Sequence, residues 1–67
     1  MKAQRKLEMY QDIAVPLLRK RELSSEDLIK LEYTFYKLTD IEEKIPTESI
    51  PICDYLERKI ATKIRIL

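Results

Sequence analysis

The 67-residue sequence contains no glycine, histidine, tryptophan or asparagine, and one cysteine, Cys53. Each absence removes a class of chemistry. Phosphate-cradling loops need glycine where backbone must closely approach phosphate. Ser-His-Asp and Cys-His arrangements need an imidazole, the usual general base near neutral pH. One cysteine without histidine cannot build a structural zinc site, and Cys53 has no intramolecular disulfide partner. Without asparagine there is no acceptor for N-glycosylation. No catalytic residue, cofactor or metal is expected, and the protein reads as something other than an enzyme.

What is present reads as one helical domain over residues 1–67. Chains this short lie near the limit for a single core, and disulfides, metals or oligomerisation commonly support them. With the first two ruled out by composition, self-association or a protein partner is the expected support. Apolar residues make up 45% and charged residues 37%, too apolar a mixture for a disordered chain. The longest apolar run, Ile13 to Leu18 with Pro16 inside it, is far too short to span a membrane. No apolar stretch follows Met1 to Lys6, so a secretory leader is not expected, and a lone thiol fits a reducing cytoplasm.

Charge is distributed unevenly along the chain, although the net value is only +1. Residues 1–21 carry six basic and two acidic groups. Residues 22–57 carry three basic and ten acidic groups, and the last ten carry four basic and none acidic. Two basic ends flank an acidic middle. Such a pattern suits either helices that complement one another or an oriented partner surface.

Three helices are expected, over about 3–22, 25–44 and 50–66. In the first, Ala3, Leu7, Tyr10, Ala14 and Leu17 recur at alternating spacings of four and three, widened by Ile13 and Leu18. Pro16 removes the bond to the Asp12 carbonyl, which predicts a kink there or a break near Val15. The second helix has the clearest start. Ser24 can cap it, Asp27 can close a capping box, and Leu23 can staple onto Leu28. Leu28, Leu31, Phe35, Leu38 and Ile45 form its core stripe, broken by Glu42, while Ile29, Tyr33 and Tyr36 form a second stripe roughly opposite. Pro46 stops this helix. Thr47 or Ser49 can cap the third, where Ile52, Leu56, Ile60, Ile64 and Leu67 are expected inside with Cys53 beside them. The alternation over residues 63–67 also admits a short strand. The missing glycine is consistent with all this, because hairpin-rich β folds need glycine or asparagine in their turns. The fold class is therefore all-α: a small three-helix bundle, or a helical hairpin with a kinked N-terminal helix, completed by oligomerisation.

The side chains that could carry chemistry have simpler structural uses. Cys53 reads as a small buried hydrophobe with no base beside it. Asp40 and Glu43, three apart, offer oxygens to a hard cation, but the alternating donors and glycine of a calcium loop are missing. Four of the five aromatics are tyrosines, which suit half-buried positions and interfaces. The expected function is a small protein-interaction module, a regulator or adaptor acting as a homodimer or on a larger protein. Its contact residues would be Ile29, Tyr33, Tyr36, Tyr55, Ile66 and Leu67. The alternative is a nucleic-acid-associated regulator of transcription or replication using Arg19, Lys20, Arg21, Arg58 and Arg65. A helix-turn-helix would place Glu48, Asp54 and Glu57 at the start of its recognition helix, where acid is unfavourable.

The segment Arg21-Glu22-Leu23-Ser24-Ser25-Glu26-Asp27-Leu28 resembles a helix opening in the Hha/YmoA family of small bacterial nucleoid-associated regulators, which are all-helical and of similar length. The resemblance covers those eight residues. Pro16, the Ile50-Pro51 connection and the long third segment depart from the family's pattern, so no residue role is carried over.

Overall fold

The computed structural model describes residues 2–65. They form a bundle of three helices: α1 (Ala3–Arg19), α2 (Ser25–Ile41) and α3 (Ile50–Arg65), with a single 3₁₀ turn at Thr47–Ser49 leading into α3. Each helix packs on both others, which selects a bundle over a hairpin with a separate arm. No strand occurs among the described residues, and α3 stays helical through Arg65. Residues 66 and 67 of the possible strand lie outside the described residues.

The local causes differ from helix to helix. At the N-terminus of α1, Lys2 makes no side-chain cap and the first turn has no acid. Its amphipathic face therefore supplies most of its stability, by burying Leu7, Tyr10, Ala14 and Leu17. The helix runs through Pro16 without the expected break. Pro16 is exposed and close to the C-terminus, and the carbonyl it leaves free belongs to exposed Asp12, where water can serve it. Helix α1 ends at Arg19 rather than near residue 22, because Lys20 adopts an extended conformation.

Helix α2 opens on the expected capping box. Ser24 Oγ accepts from the Asp27 backbone N–H at 3.1 Å, and Asp27 Oδ2 accepts from the Ser24 N–H at 3.1 Å. Lys20 Nζ donates to the same carboxylate oxygen at 3.0 Å, fastening the end of α1 to the start of α2. The helix ends at Ile41 rather than near residue 44, and Glu42 to Lys44 form a turn. No described residue has a positive φ, as expected of a chain without glycine for left-handed caps. The 3₁₀ turn ahead of α3 is preceded by Pro46 and has no side-chain cap. The Ser49 hydroxyl instead donates to Gln4 Oε1 at 2.7 Å, tying this turn to the start of α1.

The core comprises Leu7, Tyr10, Ala14 and Leu17 from α1, Leu31, Leu38 and Ile41 from α2, Ile45 from the connection, and Cys53, Leu56 and Ile60 from α3. The structure departs from the expected stripes in both α2 and α3. Leu28 stays out of the core cluster and Ile41 enters it, because the buried face of α2 runs through Leu31, Thr34, Leu38 and Ile41. Cys53, not Ile52, leads the inward face of α3; Ile52 is 46% exposed and Cys53 fully buried. Leu56 and Ile60 fix the helix phase but leave either position open at spacing four or three. The close approach of α3 to α2 decides it: Cys53 Sγ lies 3.4 Å from the Leu38 carbonyl oxygen, room only for a small side chain. Thr34 is also fully buried, and its hydroxyl donates to the Lys30 carbonyl one turn back at 2.7 Å; among the described residues no buried side-chain nitrogen or oxygen is left unpaired.

Candidate functional site

The core of α2 faces one way, with Leu31, Thr34, Leu38 and Ile41 buried. Ile29, Tyr33 and Tyr36 project the other way, at spacings of four and three, and remain 65%, 55% and 73% exposed. They form a ridge about two turns long on the outside of the bundle. Lys37 Nζ sits 5.3 Å from the centroid of the Tyr33 ring. The Tyr36 ring meets partly buried Phe35 edge-on at 6.3 Å and 79°. Beside Tyr36 a groove of about 500 Å³ runs between α2 and α3, lined by Glu32, Phe35, Ala61, Ile64 and Arg65.

Tyr55 does not join this ridge. It is 59% exposed and lies in a different groove, between α1 and α3, lined by Val15, Leu18, Arg19, Leu56 and Lys59. On α3 it falls on the flank opposite Ala61 and Ile64, which border the α2 groove. Lys59 Nζ lies 5.5 Å from its ring centroid. The expected contact set is thus divided into an α2 ridge and an α1–α3 groove, and Ile66 and Leu67 lie outside the described residues. The sequence reading overlooked Ile52, Met9 and Ile50, which also leave apolar surface in water. The position of Ile52 becomes readable only once the phase of α3 is fixed by Cys53.

The basic residues do not gather on one surface. Lys20 is held by Asp27, and Arg58 is bound to Asp54 one turn earlier through Nε at 3.1 Å and a terminal nitrogen at 2.6 Å. Lys63 donates to the Lys20 carbonyl, closing the end of α3 onto the end of α1. Arg19 lines the α1–α3 groove and Arg65 the α2–α3 groove, while Arg21 stands exposed in the connection. Arg58 and Arg65 do share an outward face of α3.

Carboxylates meet somewhere other than expected. Asp40 lies in α2 but Glu43 falls in the turn beyond it, so they share no helix face. Glu42, Cys53 and Glu57 instead bring their donor atoms within 4.8 Å of one another. Burial, then the charges of Glu57 and Glu42, push the Cys53 thiol up to about 12, so it is protonated at neutral pH. Its contacts are the Leu38 carbonyl and, at 3.8 Å, Glu57 Oε1. Partial burial, then the charge of Glu42, raises Glu57 above its ordinary 4.5. Cys53 bonds to Leu38 and Glu57, while Glu42 adds its charge beside them.

No family model, curated protein or solved structure matches this chain. The resemblance over Arg21 to Leu28 therefore has no support beyond those eight residues, and the Ser24–Asp27 capping box gives them a structural use. No helix is long and apolar enough to cross a membrane among the described residues.

Proposed function

We propose that this chain is a protein-interaction module, a regulator or adaptor that works through contacts made by α2. One observation carries the reading: Ile29, Tyr33 and Tyr36 stay exposed side by side, opposite a core that is already complete. Isolated apolar side chains on a surface need no explanation, but a row including two tyrosines has the composition of an interface centre. Regulation of another protein in a reducing cytoplasm fits the unpaired, protonated Cys53. The test is affinity capture with the wild-type protein and with Tyr33→Ser/Tyr36→Ser, alongside light scattering of both at concentrations reaching the millimolar range. Association, with itself or with another protein, should be seen for the wild type and lost in the double variant. Association that survives both substitutions, or none in the wild type, overturns the reading.

A second reading has one observation in its favour. Arg19 and Lys59 lie with Tyr55 in the α1–α3 groove, combining cationic groups for phosphate with a ring on which a base can stack. Of the residues that would serve it, Lys20 and Arg58 are already paired with carboxylates. Retention on single-stranded nucleic acid that falls steeply with salt would support it, and no retention at low salt would end it.

A further inference from the structure

We propose that the α2 ridge is covered by a second copy of this chain, with the two α2 helices side by side and parallel. The inference rests on the reading of that ridge as a contact surface and is carried by charge placement. At 100° per residue, Glu32 lies about 70° to one side of the stripe through Ile29, Tyr33 and Tyr36, and Lys37 about 70° to the other. This is the layout of a coiled-coil seam. Tyr33 occupies an a position, Ile29 and Tyr36 occupy d, Glu32 occupies g, and Lys30 and Lys37 occupy e.

Orientation follows from those flanks. In a parallel pair, a g residue faces the e residue five positions further along the other helix. Here Glu32 faces Lys37 of the second copy, and the two-fold axis makes the contact twice. In an antiparallel pair, like flanks meet, setting Glu32 against Glu32 and Lys37 against Lys37. Among the described residues neither Glu32 nor Lys37 has an ion-pair partner within its own chain. Arg65 lines the groove beside Glu32 without forming one, and Lys37 rests over Tyr33 at the edge of the seam.

The same geometry limits the affinity. Glu26 and Asp40 fall at the neighbouring a positions, where each would face its own copy, so the seam closes after two turns. From their exposures, the three side chains supply about 400 Å² per copy. The total, about 800 Å², is below the ~1,200 Å² at which stable interfaces begin. Pairing is therefore weak and concentration-dependent.

Sedimentation equilibrium of the full chain from about 10 µM to about 2 mM at low salt, where charges are least screened, tests this. The wild type should move from monomer to dimer. Glu32→Lys and Lys37→Glu each turn two attractive contacts into two repulsive ones and should weaken pairing about tenfold. The double variant Glu32→Lys/Lys37→Glu restores opposite charges and should recover wild-type pairing. Far-UV circular dichroism identifies any variant that fails to fold, for which Glu32→Gln or Lys37→Gln, with a smaller loss, stands in. A monomer throughout, or single variants that pair as well as the wild type, overturns the proposal. A monomer that binds another protein through Tyr33 and Tyr36 overturns the second copy alone, whereas a dimer indifferent to Tyr33→Ser/Tyr36→Ser overturns the ridge as well.

Discussion

Replacing Ser24 by alanine tests the most interconnected piece of the fold. Ser24 Oγ accepts the Asp27 N–H, Asp27 accepts the Ser24 N–H, and Lys20 reaches the same carboxylate from the end of α1. Alanine leaves one donor of the first turn of α2 without its partner. N-cap substitutions of this kind cost about 1 kcal/mol, within a range of about 0.5–2. In a domain of this size that lowers the melting temperature by about 4–8 °C. Asp27→Asn acts on the same box through its charge. The Ser24 N–H first, and then the Lys20 ammonium, hold the Asp27 carboxyl below its ordinary 3.8. A lowered folded-state pKa contributes stability that is fully present above 3.8 and is lost as pH falls through the folded value. Thermal melts followed by circular dichroism should show Asp27→Asn clearly less stable than wild type at pH 7, with the gap closing as the pH drops below 3.8. Ser24→Ala melting with the wild type, or a gap for Asp27→Asn that is unchanged in acid, would refute the reasoning.

Glu57 has the opposite sign. Its pKa is raised by burial and by Glu42, so its favourable contribution is complete below 4.5 and is lost as pH rises through the folded value. Glu57→Gln should therefore raise the melting temperature at pH 7 and change it little at pH 4; destabilisation at pH 7 would contradict the assignment. Cys53, buried and pushed up to about 12, should resist a thiol-titrating reagent in the native protein and react promptly in denaturant. Rapid native labelling would count against that environment. Ile60→Ala should cost about 2–5 kcal/mol in urea unfolding, and Ile52→Ala much less, because only Ile60 is enclosed. Equal losses would mean that the phase of α3 has been misassigned.

Much of this fold can be read from the residues themselves. The α1 stripe and the Ser24 cap are local signals, recurring apolar side chains and a capping box, and both appear where their spacing puts them. What escaped sequence reasoning depends on distance between helices. Ile52 is the larger hydrophobe and the natural choice for the interior, but α3 turns Cys53 inward against the Leu38 carbonyl and leaves Ile52 outside. Thr34 enters the core because its hydroxyl is satisfied by Lys30, a pairing that a hydrophobic pattern does not register. The exposure of Ile29, Tyr33 and Tyr36 was legible because they stand opposite a stripe complete in itself. The separation of Tyr55 from them was not, since it depends on which neighbour each flank of α3 meets.

The central claim is that the outer ridge of α2 is where this protein makes contact. Amide chemical-shift mapping on isotope-labelled protein tests it most directly, first on raising the concentration and then on adding any protein that affinity capture supplies. The account predicts that the shifts centre on Ile29, Tyr33 and Tyr36 and fade beyond Glu26 and Asp40. Shifts centred instead on Arg19, Tyr55 and Lys59, with the α2 ridge unmoved, would contradict it.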